Sequence, residues 1–238
     1  MLDVLYEDNH LLVLNKPAGI ATQGVSEDEE SMVTLAKEYL KWKYDKPGNV
    51  YLGVVSRLDR PVTGVLVFAR TSKAAARLTT QFSQRGVEKT YWALASRLPL
   101  AGREAGRLED WLTKSESQRK TIIARSKRPP AQRASLAYRR LDTFPRAVLL
   151  EIRLETGRKH QIRVQLGARD AAVLGDERYG SAASFPRGIA LHARELTLEH
   201  PTLKERLSFV APLPQSWRDW AKSRGVVRAI ERWERSGE

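Results

Sequence analysis

The sequence predicts an α+β fold. Short runs rich in β-branched and aromatic residues are interspersed with segments of helical periodicity, and no internal repeat or low-complexity tract is found along the chain. With 42% hydrophobic residues in a length of 238, the chain can bury a sizeable core. This length fits one large domain about as well as two small ones.

Local signals set the order of the elements. Ser31 is the predicted N-cap of a first long helix, Ser72 is the predicted cap of a second, and Gly86 is expected to end that second helix. Pro residues interrupt a predicted loop that runs to Pro214. The predicted strands cover residues 11–14, 51–55, 65–69, 89–95, 121–124, 148–154 and 196–198, and the predicted helices cover 33–44, 72–83, 160–166 and two stretches after 216.

The charge of the chain indicates a polyanionic partner. The formal net charge is +13 and the isoelectric point is about 10.1. Residues 1–50 carry five basic and nine acidic side chains, so the positive charge belongs to the later chain. Residues 114–133, read as a hairpin with a basic loop, hold seven basic side chains and one acid. Nucleic acid is the first candidate and an anionic membrane the second, while a basic surface that only aids solubility remains open.

The composition also excludes several classes of chemistry and of location. The chain has no cysteine, which excludes disulfides, thiolate nucleophiles and cysteine-based metal centres. The longest apolar stretch near the N-terminus, residues 11–14, is far too short for a signal core or a membrane span. We therefore expect a cytoplasmic protein that does not enter membranes.

The segment around Asp59 is the first candidate site. Residues 57–64 lie between two predicted strands, and functional side chains favour such loops. Asp59 stands between Leu58 and Arg60, with Arg57 before them, so its carboxylate is expected to be ionised and held by charge-assisted bonds. Such an acid is suited to be a nucleophile or a base, but a plain ion pair that closes a loop fits these four residues as well.

A second candidate segment covers residues 155–163. Gly157 permits a tight turn, and Arg158, with the neighbouring cations, could meet phosphates. A solvated basic start of a helix is the alternative. For His160 a hydrogen-bonded structural role is favoured, because no second histidine or acid lies at ligand spacing for a metal.

A third candidate segment is the predicted strand that begins at Lys89. Alternation along a strand places Lys89 and Tyr91 on one face. A tyrosine there could stack on a base and offer its hydroxyl, and an ordinary aromatic on a sheet face is the alternative. Nucleophile-elbow, phosphate-loop, dinucleotide-binding and zinc-protease patterns are all missing from the sequence, which leaves aspartate-based catalysis.

Taken in order, these segments resemble the RluA family of RNA pseudouridine synthases. The family pattern is a K-P-x-G turn, an R-L-D-x-x-x-S/T-G loop, a K-x-Y strand, a T-G-R-x-H-Q-I-R segment and a G-D-x-x-Y-G segment. The matching residues here are 16–19, 57–64, 89–91, 156–163 and 175–180, and the resemblance spans about residues 3–214.

The resemblance implies a fold and an activity. The fold is a mixed, mainly antiparallel β-sheet with flanking helices and a central RNA-binding cleft, in a single catalytic domain over residues 1–238. The activity is the isomerisation of specific uridines in ribosomal RNA or tRNA, by an enzyme that needs neither a metal nor an organic cofactor. The target nucleotide must be flipped out, because the glycosidic bond of a stacked uridine is poorly accessible. A monomer is expected.

The resemblance also implies roles for individual residues. Asp59 is the catalytic carboxylate, and Arg163 pairs with it and keeps it ionised. Tyr91 stacks on the target uracil and assists proton transfer, while Arg57 fills the space that the flipped nucleotide leaves. Arg158, residues 114–133 and Lys89 contact or support the RNA.

Two positions depart from the family pattern. Ser56 stands where many relatives have His, and Val62 precedes Thr63 where many have a Thr-Ser pair. The chain also begins directly at the catalytic domain, so no separate N-terminal RNA-binding module is expected. Two rival functions stay open: a non-catalytic RNA clamp or ribosome-assembly protein, and an Asp-dependent hydrolase acting on nucleosides, for which no paired carboxylate is evident.

Overall fold

The computed structural model describes residues 2–24 and 29–235 and divides into two compact units. Unit 1 comprises Met1–Lys89 and Ala193–Pro214, and unit 2 comprises Thr90–His192 and Gln215–Glu238. Within the described residues the helices are α1 (Met32–Lys43), α2 (Ser72–Ser83), α3 (Gln161–Gly167), α4 (Gln215–Ser223) and α5 (Val227–Arg235), with a short 3-10 turn at Glu177–Tyr179.

The strands pair mainly in antiparallel fashion, which confirms the predicted fold class. In unit 1 the spatial order is β1-β2-β4-β10, with β3 on β4 and β11 on β10; in unit 2 it is β5-β9-β8-β6-β7. The strands are β1 (Val4–Glu7), β2 (Leu11–Lys16), β3 (Gly53–Val54), β4 (Thr63–Ala69), β5 (Glu88–Ala95), β6 (Ala105–Ser115), β7 (Lys120–Ile123), β8 (Gln132–Phe144), β9 (Ala147–Leu154), β10 (Leu191–Glu199) and β11 (Arg206–Val210).

The core of unit 1 lies on both faces of its strands. Because successive side chains of a strand point to opposite faces, Leu12 and Leu14 pack in one cluster with residues of α1, while Leu11 and Val13 pack in a second cluster with residues of α2. This two-sided burial explains why β2 and β4 are continuous apolar runs. The loop that carries Asp59 enters directly into β4, so a fully buried strand holds its C-terminal end.

The helix ends show where sequence reasoning held and where it failed. Ser31 caps α1 as predicted, since the Thr34 amide donates to its hydroxyl at 3.2 Å. The cap of α2 is Thr71 and not Ser72, because Thr71 has the extended backbone of an N-cap and accepts from the Ala74 amide at 3.1 Å. Gly86 does not end α2 by its own conformation; the left-handed residue after that helix is Arg85.

Candidate active site

The loop over residues 57–64 connects β3 and β4 in unit 1, as the sequence predicted. Leu58 packs against the apolar cluster under α1, whereas Arg57 is exposed and Asp59 is partly exposed. The Val62 amide donates to the Asp59 carbonyl at 3.0 Å and closes a turn. The loop therefore anchors itself through Leu58 and presents the carboxylate of Asp59 next to it.

Thr22 anchors the same loop by hydrogen bonds. Its hydroxyl donates to the Leu58 carbonyl at 2.9 Å and accepts from the Leu58 amide at 3.0 Å. The Gly19 amide donates to the Arg60 carbonyl at 2.9 Å. These bonds restrain the backbone of Leu58 and Arg60, which lie directly before and after Asp59.

Lys16 is a site residue that sequence reasoning missed. Its side chain is fully buried, and its Nζ donates to the Pro17 carbonyl at 2.7 Å and to the Arg60 carbonyl at 3.2 Å. Burial lowers the pKa of Lys16 to about 7, which the negative charge of Asp59 opposes and the positive charge of Arg60 assists. The available signal was its position as the last residue of a buried apolar strand, where a lysine is rarely found.

Replacement of Lys16 by Met tests this burial. The Lys16→Met variant loses the hydrogen bonds to the Pro17 and Arg60 carbonyls, so its free energy of unfolding is expected to be about 1–3 kcal/mol lower than that of the wild type. Since the folded-state pKa of about 7 lies below the ordinary 10.5, the unfolded chain binds more protons between these values. The wild-type protein should therefore gain stability relative to the variant as the pH rises from about 7 towards 10.

Urea unfolding of both proteins across that pH range measures the difference. A difference in unfolding free energy that stays constant with pH would contradict a lysine whose pKa is lowered in the folded state. A change in the other direction would contradict it as well.

The arginines that flank Asp59 behave differently from each other. The guanidinium of Arg60 forms an ion pair with Glu29, so the charge-assisted bond predicted for this residue goes to Glu29. Arg57 forms no ion pair within the part of the chain that the structure describes. Its exposure leaves its side chain accessible to a ligand of the loop.

Arg163 is a buried cation of unit 2. Its Nε donates to Asp176 Oδ2 at 2.7 Å and its Nη2 donates to Oδ1 at 2.9 Å, and both side chains are buried. The guanidinium also lies 5.0 Å from the ring centroid of Tyr179, whose hydroxyl is 2.8 Å from His160 Nδ1. The hydrogen bond predicted for His160 is present, its structural role stays a prediction, and the 156–163 and 175–180 segments form one cluster.

The backbone before α3 is held by Gln161. Its side-chain oxygen accepts from the Thr156 hydroxyl at 2.7 Å and from the Arg158 amide at 3.0 Å, and its side-chain nitrogen donates to the Ser135 carbonyl at 3.0 Å. Arg158 itself is exposed, and its Nε donates to the Arg133 carbonyl at 3.1 Å. This network fixes the turn that carries Arg158 against the first residues of β8.

The structure places the remaining predicted residues on β5. Tyr91 is partly buried and pairs in register with Ile152 of β9. Lys89 is partly buried, its Nζ lies 5.9 Å from the centroid of the Phe82 ring, and burial lowers its pKa. Asp59, Arg57 and Lys89 belong to unit 1, whereas Tyr91, Arg158 and Arg163 belong to unit 2. The pairing of Arg163 with Asp59 stays a prediction.

A family model described as RNA pseudouridylate synthase matches residues 10–168, which include the Asp59 loop, β5 and α3. The chain belongs to the RNA pseudouridylate synthase family. Ribosomal large subunit pseudouridine synthase D of Yersinia pestis is 31% identical over 229 residues, covering 90% of this chain and 68% of the relative. The same-named protein of Vibrio cholerae is 33% identical over 228 residues, covering 90% and 68%. These relatives show that the chain is an RluA-type pseudouridine synthase.

Solved structures of the pseudouridylate synthase family have the same fold. Human RNA Pseudouridylate Synthase Domain Containing 4 has a TM-score of 0.76 and 26% identity, covering 95% of this chain and 93% of that one. Human RNA Pseudouridylate Synthase Domain Containing 1 has a TM-score of 0.72 at 22% identity, covering 90% and 84%. As an RNA pseudouridylate synthase, the protein is an isomerase that converts uridine to pseudouridine in RNA.

Two further observations concern this pseudouridylate synthase as a whole. Among residues 2–24 and 29–235, His, Asp and Glu side chains form no group of three or more that could hold a metal ion. Over the same residues, the helices are too short or too polar to cross a bilayer.

Proposed function

We propose that the enzyme isomerises specific uridines of large-subunit ribosomal RNA, with Asp59 as its catalytic carboxylate. The observation that carries the proposal is that the backbone around Asp59 is held by hydrogen bonds while its carboxylate stays accessible. Thr22 and the buried Lys16 hold the backbone on both sides of Asp59, while its side chain stays partly exposed. A rigidly supported but accessible carboxylate suits a group that must meet a substrate atom.

The reaction breaks the bond from C1′ of the ribose to N1 of uracil, turns the base, and forms a bond from C1′ to C5. The proton on C5 is lost and N1 gains one, so the change is redox-neutral and needs no co-reactant. The uridine must leave the helical stack first, because its glycosidic bond is otherwise poorly accessible. Whether Asp59 acts on the base or on the sugar is left open by this proposal.

The other roles are proposed from the resemblance to the family together with the contacts found within each unit. Asp176 orients Arg163 by two hydrogen bonds, and a guanidinium carries five N–H donors, enough for two carboxylates. Arg163 is therefore proposed to pair with Asp59 as well. Arg57, exposed beside the carboxylate, is proposed to occupy the space of the flipped nucleotide.

The loops that join β6 to β7 and β7 to β8 are proposed to contact the phosphate backbone of the RNA. Four side chains in these loops are exposed and make no ion pair within the described part of the chain: Arg119, Arg125, Lys127 and Arg128. Such cations bind phosphates and provide affinity and salt dependence more than sequence choice. Lys89 and Arg158 are proposed to support the same RNA.

The choice of ribosomal RNA over tRNA is tested by pseudouridine mapping. Ribosomal RNA and tRNA from cells with and without this protein are mapped for pseudouridine. We expect one or more sites to disappear from large-subunit ribosomal RNA and none from tRNA, as the names of the relatives suggest. Sites lost only from tRNA would overturn the substrate and leave the chemistry in place.

The Tyr91→Phe variant tests the role of the tyrosine in the reaction. Phenylalanine keeps the stacking surface and loses the hydroxyl, so turnover should fall at least about tenfold while RNA affinity stays within a few fold. Single-turnover conversion and filter binding on the same RNA measure the two effects. Weaker binding with unchanged turnover of bound RNA would make Tyr91 a structural residue.

We further propose that both units belong to one catalytic domain, because a single structural relative covers 95% of the chain. A cytoplasmic location is proposed together with the ribosomal RNA substrate, for which the bacterial relatives are named. A monomeric state is proposed with it and is tested by light scattering.

A further inference from the structure

Unit 2 contains a cavity that plays no part in the site described above. Its volume is about 450 Å³, within the range of cavities that bind small ligands. Two arginines line it together with small or apolar residues; the lining is Arg146, Leu174, Ala182, Ala183, Ser184 and Arg224. Neither arginine forms an ion pair within residues 2–24 and 29–235, so two uncompensated cations converge on one concave surface.

Arg146 occupies a backbone position that disfavours it. The hairpin between β8 and β9 pairs Phe144 with Ala147, so Pro145 and Arg146 are its two turn residues. Arg146 has φ 61, in the left-handed region where Gly or Asn is usually found at the second central position of such a turn. A residue in this conformation persists because the surrounding hairpin holds it there.

Trp220 contacts both the hairpin that carries Arg146 and the guanidinium of Arg224. The rings of Phe144 and Trp220 meet edge to face with centroids 5.4 Å apart, which ties the hairpin that carries Arg146 to α4. The guanidinium of Arg224, just beyond α4, lies 5.7 Å from the centroid of the same Trp220 ring. Both cations are thus attached to a buried support while their side chains remain exposed.

The opposite wall of the cavity is also fixed. The Gly175 amide donates to the Ala183 carbonyl at 2.9 Å, and the Ser181 hydroxyl donates to the same carbonyl at 3.0 Å. Gly175 is followed by Asp176, the partner of Arg163, so this wall continues into the Arg163 cluster. Two hydrogen bonds thus restrain the backbone of Ala183 on this side of the cavity.

We propose that this cavity binds one nucleotide of the substrate RNA, with a backbone phosphate between Arg146 and Arg224. Guanidinium groups bind phosphate oxygens by paired charge-assisted hydrogen bonds, and the Ser184 hydroxyl adds a donor. Leu174 and the two alanines give an apolar surface for the sugar or base. The inference rests on the proposed RNA substrate and adds an RNA contact within unit 2.

The test compares two double variants with equal loss of charge. Arg146→Asn with Arg224→Gln removes both cations, and Asn tolerates the left-handed backbone of position 146. Arg97→Gln with Arg103→Gln is the control, because both residues are exposed in unit 2 and lie outside the cavity. Binding of a mixed-sequence single-stranded RNA is measured by fluorescence anisotropy at several salt concentrations, since a phosphate contact carries no sequence information.

The cavity variant should bind about tenfold more weakly at low salt. Its plot of log affinity against log salt should be shallower by about 0.7, the value for one phosphate contact in a single strand. The control should match the wild type in slope. Equal changes in both double variants, or no change in either, would overturn the proposal.

A second pair of variants separates charge from shape. Ala182→Glu adds a carboxylate to the lining of the cavity, whereas Ala182→Gln adds the same bulk without charge; position 182 is exposed, so both should fold. RNA affinity should fall for the Glu variant and stay within about twofold for the Gln variant. Equal RNA affinities of the Glu and Gln variants would contradict RNA binding at the cavity. Binding of inorganic phosphate at the cavity, with RNA affinity unaffected by the substitutions, would assign the cavity to a free anion instead.

These outcomes are independent of the proposed catalysis. RNA binding is measured without turnover, so a protein that fails to modify ribosomal RNA but shows the predicted slopes would disprove the substrate and keep the cavity. Normal modification of ribosomal RNA, with the same salt dependence of RNA binding in the cavity variant and the wild type, would support the substrate and disprove the role of the cavity.

Discussion

Replacement of Asp59 by Asn is expected to lower pseudouridine formation by a factor on the order of a thousand or more, to the detection limit. An amide has the shape of the carboxylate but can neither attack carbon nor accept a proton at neutral pH. The fold should be unaffected, because the loop is held through the Asp59 carbonyl, Leu58 and Thr22 and not through the carboxylate alone. RNA affinity should remain within a few fold, since phosphate contacts dominate binding.

Asp45→Asn is the matched control for this variant. Asp45 is exposed in the same unit and has φ 45, a conformation that Asn adopts readily. Its activity and RNA affinity should equal those of the wild type. An Asp59→Asn protein that binds RNA and still forms pseudouridine at an undiminished rate would remove Asp59 from the mechanism and return the non-catalytic ion pair as its explanation.

The second large effect is expected for Gly64→Ala, in the first residues of β4. A Cβ at Gly64 would lie 2.2 Å from the carbonyl oxygen of Ala193 and 2.7 Å from its carbonyl carbon, and Gly64 has φ +113. Backbone atoms cannot move aside as a flexible side chain can. The clash and the strained backbone together should lower the free energy of unfolding by about 3 kcal/mol or more.

Gly19→Ala separates the clash from the backbone strain. Gly19 has φ +95, but a Cβ there would meet nothing within 4 Å. Its cost should be about 1 kcal/mol, the cost of the backbone conformation alone. Urea unfolding of both variants measures the difference, and equal losses at the two positions would show that Ala193 yields and that the close approach is unimportant.

The local signals of the sequence predicted the position of the catalytic loop well. Apolar runs on both sides of it and the Pro and Gly near it were enough to place Asp59 between two strands. The strand at 51–55 proved shorter than predicted, because only Gly53–Val54 pair with β4. Strand β1 was missed, and β6, β8 and β11 were missed or only partly predicted. In β6 only Leu108 and Leu112 of the eleven residues are buried, so its apolar pattern is weak.

Tertiary partners were beyond sequence reasoning. A lysine is expected at the surface, so the burial of Lys16 under the Asp59 loop follows only from the packing of β2. The partner of Arg163 within unit 2 is Asp176, thirteen residues away in the chain, and the motif pattern did not join them. Likewise, neighbours in sequence suggested Asp59 for Arg60, whereas Glu29 is its ion-pair partner.

Analysis of the nucleosides released from RNA after treatment with the purified wild-type enzyme tests the central claim most directly. Large-subunit ribosomal RNA lacking modifications is incubated with the enzyme, digested and separated by chromatography. We expect the wild-type enzyme to convert uridine to its C-linked isomer without release of free uracil, and the Asp59→Asn enzyme to give none of this product. Free uracil in the supernatant, or RNA that is bound and returned unchanged by the wild-type enzyme, would contradict it.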